Sequence, residues 1–380
     1  MGKKIVVNTR LLLKNKLEGI GWFTYETLSR VTQQHPEHTF FFLFDRPYSD
    51  EFIFSDNVVP VVVSPPARHP VLFYIWFELM IPKQLKRLKA DLFLSPDGYL
   101  SLKTKVPTLV VMHDLNFEHF PKDIPFAARK HYKHFFPKYA KKATRIATVS
   151  EYSKQDIVTQ YKVNPEKIDV VYNGANELFV PVSEDESGQV RKDHSAGYPY
   201  FVFVGALHPR KNLVNLFAGF DLFKEKDQSG IKLLIVGEKM WWTPSIKEAY
   251  EKMNHKDDVI FSGRLQMKEL TQVVGSALAL TYVSYFEGFG IPIVEAFNAE
   301  TAVITANVTS MPEVAGDAAL LIDPFSPGSI AEAMKKISSD ENLRNQLILK
   351  GREQKKKFTW QKSADRLWAS IEKALDQGIE

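Results

Sequence analysis

Two glutamates with seven residues between them, Glu287 and Glu295, bracket the stretch Tyr285–Ala296, YFEGFGIPIVEA. Read locally, Ala277–Val283 (ALALTYV) is a buried strand, Gly288 and Gly290 make a tight turn, and Pro292 suits the first turn of a helix. That helix begins near Gly290 with unpaired backbone N–H groups and the positive end of its dipole outward, an anion site beside two carboxylates. Glu287 lies on the turn and Glu295 about one helical turn further on, so one carboxylate reaches a ligand from the loop and the other from the helix. A ligand carrying both phosphate and hydroxyls suits this pair. The same letters also fit an ordinary strand-to-helix corner with solvated glutamates.

Three other places carry residue types that do chemistry. After the strand Tyr200–Gly205 comes the basic loop His208-Pro209-Arg210-Lys211-Asn212, either an anion clasp or a solvated corner. The strand Pro107–His113 ends in His113-Asp114-Leu115, at a strand's carboxyl end, where open α/β sheets hold their ligands. Near the N-terminus, the strand Lys4–Asn8 is followed by Glu18-Gly19-Ile20-Gly21 and then by an amphipathic helix, WFTYETLSRVTQ. Strand, glycine loop and helix can cradle phosphate, although the spacing is not that of a dinucleotide fingerprint, and the glycines also serve a plain turn.

The elements that must position these residues alternate between strand and helix patterns along the chain. Thr39–Phe44, Val58–Val63, Asp91–Ser95, Arg145–Val149 and Lys167–Tyr172 read as further strands of a first parallel sheet, with Pro60 putting Val58–Val63 near an edge. Pro70–Lys89 reads as one helix, apolar first and basic later. Glu184–Gly197 (EDESGQVRKDHSAG) is polar and reads as a linker. Beyond it, Lys232–Gly237, Val259–Gly263, Ala302–Ala306 and Ala319–Ile322 continue the alternation, and Trp360–Leu375 is a final amphipathic helix. With 380 residues, two domains are the natural division: 1–184 and 185–359.

Composition narrows the function classes. The 44% hydrophobic and 25% charged content is that of a globular chain, and no apolar run reaches the roughly 20 residues of a membrane span. There is no cysteine, which removes disulfides and thiolate metal sites and suits a reducing compartment. MGKKIVVNTR leads straight into a strand and has no signal-peptide pattern. A net charge of +4 is too weak to argue for nucleic acid. One segment is strongly basic: Lys122–Arg145 holds eight lysines and arginines against the single Asp123, interleaved with Phe126, Tyr132, Phe135, Phe136 and Tyr139. It reads either as a core-packed helix, broken or kinked at Pro137, or as a face that rests on anionic lipid.

The stretch from Glu287 to Glu295, with GFGIP between the acids, resembles the signature of retaining glycosyltransferases of family four. GALHPRKN at 205–212, VVYNGAN at 170–176 and SMPEVAGDAALLIDP at 310–324 are similar to that family's motifs. GIGWFTYETL, WFELMIP, KADLFLSPDG and VVMHDL look most like a bacterial branch that includes mannosyltransferases. Trp22-Phe23 depart from the pattern, being bulky where small or polar residues are common, which bears on acceptor shape. The resemblance implies an α/β GT-B fold, with two Rossmann-like doubly wound parallel-sheet domains facing across a cleft and the helix at about 360–380 packing back on the first.

By the same resemblance, Arg210 and Lys211 clasp the diphosphate of a nucleotide-diphosphate sugar, and Glu295 takes the ribose hydroxyls. Glu287 holds hydroxyls of the transferred sugar near the backbone amides of Phe289, Gly290 and Ile291. Arg264-Leu265 meets the nucleobase, His113 touches the donor sugar, and Gly21 lets the first helix approach the phosphates. The acceptor is a glycan or a lipid-linked glycan, with GDP-mannose the favoured donor, in a cytoplasmic protein that is peripheral at an anionic membrane surface. Charge building on the departing diphosphate needs fixed positive groups. No DxD motif stands where it could hold Mg²⁺, and Asp257-Asp258 lack an evident partner, so no metal and no cofactor is expected. A non-catalytic nucleotide-sugar-binding subunit is the alternative from another class, and an inverting transferase or a phosphorylase the alternative enzyme. The first would be expected to lose Glu287, Arg210 or Lys211, and all are present.

Overall fold

The computed structural model describes residues 2–67, 70–227, 229–238 and 242–377. The chain divides into two compact units, Met1–Asn173 with Trp360–Glu380, and Gly174–Thr359. Each is built on one parallel sheet.

The first unit contains β1 (Lys4–Asn8), β2 (Thr39–Phe44), β3 (Val58–Val62), β4 (Leu92–Ser95), β5 (Thr108–Val111), β6 (Arg145–Thr148) and β7 (Ile168–Val170). The second contains β8 (Tyr200–Val204), β9 (Lys232–Val236), β10 (Val259–Gly263), β11 (Ala279–Tyr282), β12 (Ala302–Ala306) and β13 (Leu320–Ile322). Their orders are β3-β2-β1-β4-β5-β6-β7 and β10-β9-β8-β11-β12-β13. Central strands such as LFLS, TLVV and ALTY are buried at every position, because helices cover both faces of a doubly wound sheet and leave no solvent side to alternate with. Pro60 sits in β3, which pairs only with β2, so its missing N–H costs no ladder bond. Strand order reverses between β1 and β4 in one sheet and between β8 and β11 in the other. Those reversals open the crevices where such sheets bind ligands.

Three expectations are corrected. The expected linker 184–197 is a helix, Glu184–Ser195, closed at its start by a capping box between Ser183 and Glu186, and the chain passes between units at Asn173–Gly174 instead. Pro70–Lys89 is not one regular helix: Pro70–Ile75 and Ile81–Leu88 flank a π-helical stretch, Trp76–Met80. Pro82 cannot donate to the carbonyl of Glu78 and its ring crowds that oxygen, so the preceding turn widens. Pro137, in contrast, lies inside an unbroken helix, Phe126–Lys142.

The helix Trp360–Asp376 packs within the first unit. Asp169 accepts from Ser370 Oγ at 2.8 Å and pairs with Lys373 Nζ at 2.7 Å, while the His35 ring stacks on Trp368 with centroids 3.5 Å apart. The three residues after Gln377 that the sequence reading included in this helix lie outside the described residues.

Candidate active site

The second sheet's reversal point gathers the charged residues. After β8 the chain turns through a short 3-10 helix, Pro209–Lys211, opened by His208, whose Nδ1 accepts from the Arg210 N–H at 3.2 Å. Asn212 takes a left-handed conformation at φ 63° to redirect the chain into the helix Leu213–Lys224. Its amide donates to the carbonyls of Val283 at 3.0 Å and Pro324 at 2.6 Å, and Tyr285 N–H donates to the Arg210 carbonyl at 3.0 Å. The loops after β8, β11 and β13 are thereby stitched together.

Glu287, after β11, points back at the basic loop. Its Oε2 lies 2.5 Å from Arg210 Nη1 and its Oε1 2.7 Å from Lys211 Nζ. The carboxylate is 8% exposed and Lys211 10% exposed, with Arg210 more open at 27%. Burial alone would push the Glu287 carboxyl up, but the two cations outweigh it and hold it down at about 2. Two cations thus share one carboxylate, which leaves the site net positive in a region of low dielectric.

Gly290 caps the next helix, Ile291–Asn298, at φ 105°, a backbone state that only glycine adopts freely. Pro292 sits in the first turn, where a missing N–H is harmless. Ser310 Oγ ties the approach by donating to the carbonyls of Glu287 at 2.9 Å and Phe289 at 3.0 Å. Inside this helix the Glu295 carbonyl accepts from the Ala299 N–H at 3.0 Å, and burial pushes its side-chain carboxyl up to about 7.

The structure therefore brings Arg210, Lys211 and Glu287 into contact and sets Phe289, Gly290, Ile291 and Glu295 on the adjoining turn and helix. Arg264 and Leu265 follow β10, the edge strand; Arg264 is exposed, 3.9 Å from Glu238. His113 and Gly21 belong to the first unit. His113 Nε2 donates to the Pro96 carbonyl at 2.8 Å and its ring meets Phe23 edge-on at 5.0 Å, with burial lowering its pKa and keeping it neutral. The first helix begins at Gly19, so Gly19 and Gly21 form its first turn, not a separate glycine loop. A Cβ on Gly21 would lie 3.1 Å from the Leu11 carbonyl and from Leu17, so the chain's own loop uses that space.

Sequence reasoning missed Tyr282, beneath the cations, and the Arg10–Asp97 pair at the first sheet's reversal point. Arg10 Nε lies 2.5 Å from Asp97, and its guanidinium is 4.9 Å from the Tyr99 ring centre. Neither carries a spacing signal, since a tyrosine ending a strand reads as core. Among the described residues one group of side chains is close enough for a cation: His35, Glu37 and His38, at the amino edge of the first sheet. There His38 Nδ1 accepts from the Lys3 N–H at 2.9 Å, which puts the ring proton on Nε2, 3.2 Å from Glu37. The group is a hydrogen-bonded cluster, and that nitrogen has no lone pair to offer a metal.

Comparison with known proteins bears on the family and the fold. Residues 17–177 match the family described as Glycosyltransferase Family 4, and residues 184–354 match Glycosyl transferases group 1. O-antigen chain mannosyltransferase B of Escherichia coli is 24% identical over 77% of this chain and 78% of its own. O-antigen chain mannosyltransferase RfbU of Salmonella typhimurium is 28% identical, over 60% of each chain. HepE of Anabaena, solved in complex with UDP and glucose, superposes with a TM-score of 0.75 at 14% identity, over 98% of this chain and 100% of its own. The chain is a glycosyltransferase with the two Rossmann-like domains of the GT-B fold. It resembles the bacterial mannosyltransferases of family four.

Proposed function

We propose that this glycosyltransferase is retaining and metal-independent, moving a sugar from a nucleoside diphosphate donor to a glycan or lipid-linked glycan. GDP-mannose is the favoured donor, on the strength of the two mannosyltransferase relatives. The observation that carries the reading is the pair Arg210 and Lys211, meeting at Glu287 beside the start of the helix Ile291–Asn298. As the glycosidic bond to phosphate breaks, charge collects on the leaving diphosphate, where Arg210 supplies a planar fork, Lys211 a point charge, and the helix N–H groups a fixed dipole. Glu287 binds sugar hydroxyls, and the departing phosphate takes the acceptor's proton on the same face. A thermal-shift screen of UDP-, GDP- and ADP-sugars in EDTA tests the reading. One nucleotide class should raise the transition temperature with concentration, and a flat response to all of them would remove it.

Glu295 is assigned to the ribose hydroxyls, and its titration gives that assignment a signature. With the carboxyl raised above its unfolded value of 4.5, the folded protein keeps a proton that the unfolded chain gives up. Its stabilising share is complete below the unfolded value and lost as pH rises through about 7. Ribose hydroxyls donate to the ionised form, so nucleotide binding at neutral pH should expel a proton. Calorimetry in buffers of different ionisation enthalpy should show that release, and Glu295→Gln should abolish it and weaken binding by about 1–3 kcal/mol. Release that persists in the variant would place the ribose elsewhere.

Peripheral membrane contact is part of the same proposal. No helix among the described residues is long and apolar enough to cross a membrane. In the helix Phe126–Lys142 the rings of Phe136 and Tyr139 are buried and Tyr132 and Phe135 pack on the same core, so the aromatic stripe is structural. The opposite side leaves Lys130, Lys133, Lys138, Lys141 and Lys142 exposed, each contributing about 1 kcal/mol near anionic lipid before screening. Sedimentation with vesicles should rise with anionic lipid content and fall with salt. Binding unchanged when Lys130, Lys133, Lys141 and Lys142 become Glu would leave this face merely solvated.

A further inference from the structure

Tyr282 ends β11 directly beneath the charged cluster and is 1% exposed. Its hydroxyl accepts a hydrogen bond from Lys211 Nζ at 2.6 Å, and the same nitrogen lies 4.6 Å from the centre of its ring. The backbone around it is fixed, with Thr305 Oγ1 donating to the Tyr282 carbonyl at 2.8 Å. A Cβ at Gly290 would come 3.5 Å from the ring, so the tyrosine also abuts the turn that opens the next helix. At the end of a buried strand, packing alone is satisfied by phenylalanine or valine. A buried hydroxyl costs free energy unless it has a partner. Lys211 is one partner, and the Glu287 carboxylate, within hydrogen-bonding reach of the same hydroxyl, is another.

We propose that Tyr282 is a positioning residue that keeps the Lys211 ammonium aimed at the donor diphosphate while Glu287 is released to the sugar. The inference rests on the assignment of Lys211 to the diphosphate. An ammonium has three donors on a flexible stem. Tyr282 and Glu287 each take one of them, Glu287 Oε1 at 2.7 Å. A bound diphosphate competes for the share that Glu287 holds. Tyr282, neutral and locked in the core, does not move, so Lys211 changes one partner and keeps the other. Without the hydroxyl the ammonium would exchange its main anchor for the ligand and lose orientation in doing so.

The experiment is Tyr282→Phe, which removes one oxygen and keeps the ring. Calorimetry is run with the nucleoside diphosphate that gives the largest thermal shift, and with the matching nucleoside. The diphosphate should bind about ten-fold more weakly and the nucleoside should bind as before, a split that a general packing defect does not produce. An unchanged diphosphate affinity in the folded variant overturns the inference, as does equal weakening of both ligands. Lys211→Met separates the two levels: if it leaves diphosphate affinity intact, the diphosphate assignment itself fails, whereas if it weakens binding and Tyr282→Phe does not, only the role of Tyr282 fails. Should Tyr282→Phe not fold, the double variant Lys211→Met/Tyr282→Phe removes both buried polar partners together. It should bind diphosphate as Lys211→Met does, and a further ten-fold loss would overturn the coupling.

Discussion

Glu287→Gln is expected to lower turnover by about 10²–10³-fold while tightening the binding of nucleoside diphosphates and inorganic pyrophosphate. The two effects have opposite signs because, on the proposed assignment, the carboxylate has two occupations. It is the anion that Arg210 and Lys211 hold, at 2.5 and 2.7 Å. A diphosphate must displace it from both cations before it can be clasped. Glutamine keeps the shape and the hydrogen-bonding reach but not the charge, so the incoming anion no longer competes with an internal one. Turnover falls because the sugar's hydroxyls lose the acceptor that positions them as the glycosidic bond opens. Stability should change as well. A carboxyl held at about 2 stabilises the fold fully above its unfolded value of 4.5 and loses that contribution as pH falls toward 2. The variant should therefore melt earlier than the parent at neutral pH, with the difference closing in acid, and pyrophosphate should restore much of it. Weaker pyrophosphate binding in Glu287→Gln would mean that the cations do not serve the diphosphate.

Much of this site was legible because it depends on local backbone grammar. A buried run, two glycines and a proline before an apolar-periodic segment specify a strand, a left-handed turn and a helix start, and Gly290 and Pro292 occupy those positions in the structure. Parallel alternation was legible for a similar reason: runs buried on both faces are uninterrupted. What was not legible depends on interactions between distant residues or on one competing local signal. Ser183 and Glu186 are a capping box, and that pair outweighs the polar composition that made 184–197 look like a linker. The widened turn at Trp76–Met80 follows from one proline four residues beyond Glu78, in a segment whose hydrophobic pattern says only helix. That Glu287 pairs with both cations could not be read from spacing, since the partners stand on loops after β8 and β11 and meet only when the strands become neighbours. Tyr282 was hidden for the opposite reason, because an aromatic residue closing a strand needs no further explanation until a lysine is found bonded to its oxygen.

Arg210→Ala and Lys211→Ala should each depress turnover by about 10²–10³-fold, through lost stabilisation of the leaving diphosphate, yet they should differ in what they do to the fold. Arg210 is the more open of the two, and its removal leaves Glu287 still paired with Lys211. Arg210→Ala should therefore melt close to the parent while losing activity. Lys211 lies deeper, bonded to a fully buried tyrosine and to Glu287, so Lys211→Ala takes a buried partner from both and leaves Glu287 with Arg210 alone. A loss of about 2–3 kcal/mol in stability is expected there, in addition to the loss in rate. Arg210→Lys should not rescue turnover, because an ammonium cannot present the two parallel donors of a guanidinium to a phosphate. Donor hydrolysis or transfer assays alongside chemical denaturation measure the two axes separately. Near-normal rates in Arg210→Ala would remove it from the diphosphate clasp. Lys211→Ala with native stability would mean that the buried network around Tyr282 reorganises at no cost, and the assignment of Lys211 as its pivot would fall with it.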